Sequence, residues 1–306
     1  MRYVVTGGSG YIGTRLIRAL VERTDTERVL IADLQAPRAV PSNVDYMAVD
    51  VRDSARVLAA LQREKADVLV HLAGVLETNG DRQQMYETNV AGTNNVLDAA
   101  AKSGIRQVIA VSSAAAYGPR KNGGRAVDEE TALVSAQEFE YGRHAVTADR
   151  LCQLWAARHA DRTMTLLRPA LVLGPTVDNS ISRLWTHPPF HARFADPQDE
   201  VQAVHEDDFV EALIGLAVSG TGGTFNVAGE GIVSVGECAE VTGLKRRRVP
   251  RGLYSKMAGR GAALEALGFI KRQAIVSTDR LRARTGWYPA HTSRAAFEAA
   301  TATREG

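Results

Sequence analysis

Gly7, Gly10 and Gly13 are the residues whose types and spacing say most about chemistry. They fall in the run Thr6–Gly13, TGGSGYIG, directly after the apolar stretch Tyr3-Val4-Val5. Directly after them come Leu16, Ile17, Leu20 and Val21 at helical spacing. The first stretch reads as a strand and the second as a helix. A glycine turn between strand and helix, with Tyr11 and Ile12 in it, is the shape that receives a dinucleotide pyrophosphate. Gly7 supplies a backbone conformation closed to other residues. Gly10 lets phosphate approach the main chain, and Gly13 lets the helix pack close to the strand. The free N–H groups and the positive end of the helix dipole then face the anion. Glycine clusters also make ordinary turns, so the flanking strand and helix carry this reading.

Asp33 ends the apolar run Leu30-Ile31-Ala32-Asp33, about twenty residues past the glycines, where an acid can bond both ribose hydroxyls or serve as a helix cap or loop acid, the spacing favouring the ribose role. It also repels a 2′-phosphate, so NAD is expected over NADP, with Arg38 close enough in sequence to soften the choice. Asp50, followed by Val51, is placed to accept from an adenine amino group, and Asp53 to cap the next helix. In His71-Leu72-Ala73-Gly74 the small residues let the adenosine half lie along the strand tips, and His71 reads as a structural residue.

These residues need elements to hold them. Strands are expected at Arg2–Thr6, Val29–Asp33, Tyr46–Asp50, Val68–Leu72, Val108–Ser112 and Thr163–Leu167. Helices are expected around Gly13–Arg23, Ser54–Arg63, Gln83–Lys102 and Gln137–His159. Near-continuous apolar strands alternating with helices predict an α/β fold, a Rossmann-type doubly wound parallel sheet with ligands at the carboxyl ends of its strands. After Arg168-Pro169 the rhythm breaks into a loop-rich stretch. Glu206–Val218 then reads as a helix, Thr224–Ala228 as a strand, and Asp279–Thr285 and Ser293–Ala302 as amphipathic pieces. The expected division is a dinucleotide-binding domain over 1–168 and a smaller substrate lobe over 169–306, with interleaved segments and an approximate boundary. Ala258–Ala266 reads as a loop leading into a helix.

The bulk composition narrows the class. The chain has 306 residues, 45% of them hydrophobic, and a net charge of +2, which calls for neither nucleic acid nor a membrane surface. The basic run Lys245-Arg246-Arg247-Arg248, with Arg251, reads as a solvated loop or as a contact for phosphate groups. Cys152 and Cys238 have neither metal spacing nor a disulfide framework and fit reduced thiols in a cytoplasm. Met1 leads straight into the first strand, so no signal peptide is expected, and no apolar run is long enough to be expected to span a bilayer. His205, Asp207 and Asp208 are expected to hold no metal: His205 ends a strand, and Asp207 or Asp208 caps the helix that follows.

Several segments together, TGGSGYIG, the strand end at Asp33, VDVRD, HLAG, TNVAGTNNVLDAA, VSSAAAYG, LRPALVLGP, VHEDD and RTGWYP, make the chain resemble the extended short-chain dehydrogenase/reductase family, which includes nucleotide-sugar epimerases and dehydratases. They run from residue 6 to about 289. The resemblance implies a nicotinamide dinucleotide in the first lobe and a small-molecule substrate in the second. It also implies a structural asparagine at Asn89, and a homodimer paired through the helices 83–102 and 137–159. Members use a serine or threonine, a tyrosine, and a lysine four residues later; these positions fall on Ser113, Tyr141 and Ala145. Tyr141 would exchange a proton with the substrate, Ser113 would steady the substrate oxygen, and hydride would pass to or from the nicotinamide. The lysine, which acidifies the phenol and grips the nicotinamide ribose, is absent. His144, three residues after Tyr141, lies on roughly the same helical face; it reads as a substitute proton relay or as an exposed or core-edge histidine. Arg143 points away from Tyr141. Tyr117 is a phenol near the site but not the base.

Two further departures concern the substrate. The asparagine that sugar-nucleotide epimerases carry after the sixth strand is Leu171 here, and the arginine that grips the diphosphate is Val201. Arg183 or Arg193 could replace them. Leu184, Trp185, Pro188, Pro189 and Phe190 supply an apolar lining or lobe-packing core. The expected function is an NAD(P)-dependent oxidoreductase on a non-sugar carbonyl or alcohol. The alternatives are a nucleotide-sugar epimerase or dehydratase, and a dinucleotide-binding sensor or interaction protein that has lost turnover.

Overall fold

The computed structural model describes residues 1–37, 41–76, 81–118, 126–134, 139–179, 199–241 and 274–302. Among them the strands are β1 (Arg2–Thr6), β2 (Arg28–Asp33), β3 (Val44–Ala48), β4 (Val68–His71), β5 (Gln107–Val111), β6 (Thr163–Pro169), β7 (Leu171–Leu173), β8 (Glu200–Val201), β9 (Ala203–His205), β10 (Gly223–Val227) and β11 (Val233–Ser234). The helices are α1 (Tyr11–Val21), α2 (Ser54–Glu64), α3 (Arg82–Tyr86), α4 (Gly92–Ser103), α5 (Glu140–Arg158), α6 (Glu206–Ser219), α7 (Val235–Val241), α8 (Asp279–Thr285) and α9 (Ser293–Ala302). Arg38, Arg183, Leu184, Trp185, Pro188, Pro189, Phe190, Arg193, the Lys245–Arg251 run and Ala258–Ala266 lie outside the described residues.

Seven strands form one sheet in the order β10-β6-β5-β4-β1-β2-β3, and every adjacent pair is parallel. Its strand order reverses between β1 and β4, which opens a crevice at their carboxyl ends. The expected doubly wound sheet is present. β3 begins two residues earlier than expected and stops at Ala48, leaving Val49 and Asp50 beyond the strand. Alternate side chains of each strand feed two cores. Tyr3, Val5, Val29, Ile31 and Ile109 pack on one face with Leu16, Ile17 and Leu20 of α1 and Phe209, Leu213 and Leu216 of α6. Val4, Leu30, Leu69 and Val108 pack on the other with Val57 and Leu61 of α2, Val96 and Leu97 of α4, and Trp155 of α5. Burial on both faces explains why the strands read as apolar runs rather than as alternations.

Material beyond residue 168 takes part in this body: β10 pairs with β6, and α6 shares a core with α1. The rest forms two small sheets, β7 with β9 and β8 with β11, around a third apolar cluster with α7 and α9.

One polar network lies inside the sheet layer. Arg168, 2% exposed at the end of β6, makes a two-pronged ion pair with Asp149 of α5, which is fully buried. The same guanidinium donates to the Tyr117 hydroxyl at 2.8 Å and to the Glu129 carbonyl at 3.2 Å. Tyr117 in turn donates to Asn226 of β10. Tyr117 is therefore a structural phenol held away from the cavity. Asp149→Leu should lower unfolding stability by about 3–5 kcal/mol, because it leaves the guanidinium buried and unpaired. Chemical denaturation of this variant beside an Asp149→Leu/Arg168→Met double variant checks it: the double variant should recover part of the loss.

Candidate functional site

Close packing sets the geometry of the glycine turn. Gly7 has φ +72°, and a Cβ there would stand 2.6 Å from the Ala73 nitrogen at the tip of β4. A Cβ on Gly13 would stand 2.3 Å from the Gly7 carbonyl oxygen. Only glycine lets α1 start this close to β1 and β4. Gly10 is the N-cap of α1 and provides no side-chain cap, so the first N–H groups of this eleven-residue helix have no capping side chain.

The end of β2 is tied to the same turn. The Asp33 carboxylate accepts from the backbone N–H groups of Ser9 and Gln35, each at 3.0 Å. Ser9 also donates its hydroxyl to the Gln35 carbonyl at 2.6 Å, a role that no spacing rule pointed to. Asp53 caps α2 as expected, accepting from Ala55 and Arg56. Asp50 is engaged by Arg52 at 2.6 Å, so its carboxylate already has a cationic partner.

The end of β4 is fixed from below. Expected as one helix, Gln83–Lys102 is instead α3, a π-helical turn at Glu87–Ala91, and α4. Asn89 sits in the π turn, a local widening that often marks functional positions. Its side-chain amide grips Val75 twice, accepting from the N–H and donating to the carbonyl, both at 2.8 Å. Thr93 donates its hydroxyl to the Asn89 carbonyl at 2.8 Å and so can only accept from His71 Nε2, at 3.0 Å. Thr6 then donates to His71 Nδ1 at 2.7 Å. This network assigns the Nε2–H tautomer. Burial presses the His71 pKa down to about 4.

Ser113, two residues past β5, caps the short 3-10 turn Ala114–Tyr117, accepting from the Ala115 N–H at 3.1 Å. Tyr141 stands in the first turn of α5, half-buried, with its phenol beside the Ser113 hydroxyl. Burial pushes its phenol above the ordinary value of 10, and the neighbouring Ser113 hydroxyl pulls part of the way back. Ala145 is buried against Ala116, Val146 and Leu133. His144 is 7% exposed, buried rather than exposed, and meets the ring of Tyr86 edge-on at 5.7 Å. Burial lowers its pKa.

Most of these groups surround one cavity of about 750 Å³. Gly7, Gly10, Tyr11, Ile12, Gly13, Asp33, Asp50, Val51, Leu72, Ala73, Gly74, Asn89, Ser113 and Tyr141 all line it, as do His144, Ala145 and Leu171. Arg52 is the one arginine or lysine among the described wall residues, and it lies at the Asp50 end. Val201 is fully buried in β8 and is not in the wall.

A buried acid joins the turn to the later chain. Glu206, fully buried, accepts from the Tyr11 hydroxyl, from Arg15 at 2.8 Å and from the Thr176 hydroxyl at 3.0 Å. Its partners lie from 30 to 195 residues away, so sequence spacing gave no hint of it. The helix it opens is capped by His205, whose Nδ1 accepts from the Asp207 N–H at 3.2 Å; neither Asp207 nor Asp208 is the cap. Asp208 instead accepts from the backbone of Ala290 and His291. Among the described residues no three His, Cys, Asp or Glu side chains are grouped to hold a metal ion, and no helix is long and apolar enough to cross a membrane.

Residues 3–228 match the model of the NAD dependent epimerase/dehydratase family. The chain belongs to this family. The resemblance read from its motifs points the same way. It is similar to an uncharacterized protein of Mycobacterium tuberculosis, 24% identical over 311 residues, covering 96% of this chain and 82% of that one. It is also similar to sterol demethylase protein B of Methylococcus capsulatus, 31% identical over 179 residues, covering 57% of this chain and 52% of that protein. Among solved structures, UDP-glucose 4-epimerase of Thermus thermophilus, in complex with NAD, shares the fold with a TM-score of 0.78 at 22% identity, covering 100% of this chain and 99% of that one.

The site carries a stability signature. The His71 pKa of about 4 lies below its unfolded value of 6.5, so the unfolded state takes up the proton first as pH falls. His71 thus contributes stability that is full above about pH 6.5 and is lost progressively towards pH 4, about 3 kcal/mol in all. Urea unfolding at pH 7, 6, 5 and 4 should show a steeper acid decline for the native protein than for His71→Asn, which cannot titrate.

Proposed function

We propose that the protein is an NAD-dependent oxidoreductase acting on an alcohol or carbonyl that carries no diphosphate. The observation that carries this reading is that Ser113 and Tyr141 stand side by side in the wall of a cavity that begins at the uncapped start of α1. The residues present fit the dinucleotide. The cradle at Gly7 and Gly13 admits backbone-close phosphates, and the free N–H groups of α1 suit a pyrophosphate. Asp33 would take the adenosine ribose hydroxyls and disfavour a 2′-phosphate. When bound, the nicotinamide supplies hydride exchange.

The chain's own residues handle the proton and the substrate. Ser113 orients the substrate oxygen. Tyr141 holds a proton that burial makes hard to remove, and no lysine or arginine among the described wall residues stands beside it. The site therefore starts as an acid, which suits carbonyl reduction: the Tyr141 O–H gives its proton to the substrate oxygen and becomes a phenolate. Leu171 and Ala170 give this end of the cavity an apolar wall, and a diphosphate lacks a cation among its described residues. The similarity to sterol demethylase protein B over part of the chain favours the same direction. Residues 169–306 form the substrate lobe in this reading. A cytoplasmic homodimer paired through α4 and α5 goes with it.

A second reading, a nucleotide-sugar epimerase or dehydratase, draws on the whole-chain fold similarity to UDP-glucose 4-epimerase. NADH consumption across a carbonyl panel, beside interconversion of UDP-sugars without net cofactor change, separates the two. Tyr141→Phe should lower turnover by at least about a hundredfold in either case while leaving cofactor binding within a few fold. Ala145→Lys should bring the alkaline limb of the reduction profile to lower pH, since a cation one turn away acidifies the phenol. An unmoved limb would show that position 145 does not set the phenol's acidity.

A further inference from the structure

Many of the polar groups around the cavity are engaged, and the buried atoms that are not lie together. His71 uses both ring nitrogens, Tyr11 is bonded to Glu206, Asp50 to Arg52, and Asp33 to two backbone amides. Two wall residues hold buried polar atoms with no hydrogen-bond partner: Ser112 Oγ and His144 Nδ1. Both belong to the Tyr141 end, Ser112 next to Ser113 and His144 one helical turn after Tyr141. Unmade bonds on buried polar atoms are uncommon and call for an explanation.

The chemistry of His144 narrows that explanation. Burial keeps the imidazole neutral; Glu140 and Arg143, its charged neighbours on α5, act in opposite senses, and the Tyr86 ring covers one side. A neutral imidazole has one N–H and one bare nitrogen. An orphaned N–H inside a protein is rarer than an orphaned acceptor. The favourable tautomer therefore leaves buried Nδ1 bare and puts the proton on Nε2. This makes His144 a hydrogen-bond donor in the wall, next to the position where Ala145 offers only a methyl group.

We propose that His144, through its Nε2–H, hydrogen-bonds the ribose on the nicotinamide side of bound NAD, in the place of the lysine absent at position 145. The proposal rests on the NAD reading given above. It separates two jobs that a lysine performs together. The neutral imidazole grips the ribose but brings no charge to acidify Tyr141.

Binding alone tests this, without a known substrate. The native protein, His144→Leu and His144→Gln are titrated with NADH by fluorescence and with AMP by calorimetry. AMP probes only the adenosine half. His144→Leu should weaken NADH about tenfold, the scale of one lost hydrogen bond, and leave AMP unchanged. His144→Gln, whose amide N–H falls near the Nε2 position, should recover most of the NADH affinity. Equal NADH affinity for the native protein and His144→Leu overturns the proposal and leaves the NAD reading standing. Parallel loss of NADH and AMP binding in both variants overturns it too, because His144 is then a structural residue. If the native protein binds AMP no less tightly than NADH, the nicotinamide half is not held and the proposal fails. If it binds neither, the NAD reading itself fails.

Discussion

Backbone meets backbone at the start of α1, and the rest of the site depends on that approach. With Gly13 lying against Gly7, and Gly7 against Ala73, the first helix begins almost on top of the strand ends. No side chain fills the gap, so the helix start, the tip of β4 and the end of β2 come to bound one space. Asp33 is held to this turn through Ser9, and the tip of β4 is held from the opposite side by Asn89. A Cβ at either glycine would push α1 away from the sheet, and the cavity wall would lose its shared origin.

The chain of hydrogen bonds Thr6–His71–Thr93–Asn89 has a similar logic. It crosses from β1 to β4 to the π turn without using a charge. Each member has both a donor and an acceptor to give, so the chain closes with no unmade bond. A charged His71 would lose the bond from Thr6, because a protonated Nδ1 cannot accept. This is why burial and the network agree on a neutral ring.

Much of the fold was legible because it depends on local pattern. The apolar runs of β1, β2, β4 and β5 sit between turn residues, and α8 and α9 fall on the expected residues. The glycine turn and Asp33 were legible because their spacing reflects one strand–turn–helix unit. What was not legible depends on distant partners. Glu206 reads in the sequence as one of three acids opening a helix, and only folding brings Tyr11, Arg15 and Thr176 to it. The π turn was hidden because its widening leaves the apolar spacing of 83–102 nearly helical. β3 was placed two residues late because Val49 is buried yet lies past the strand. His144 is a matter of environment: its position at one helical turn from Tyr141 is visible in the sequence, but its burial under Tyr86 is not.

The placement of β10 has a consequence for how the polypeptide matures. The sheet borrows its last strand from residues 223–227, more than fifty positions after the strand it pairs with. Until that segment has left the ribosome, β6 presents an open row of backbone N–H and C=O groups. Such an edge templates strand addition from another chain, so a nascent or truncated product ending shortly after β6 is exposed to self-association. The dinucleotide half is therefore not an autonomous module to be cut out and grafted, and its completion waits on the half that follows.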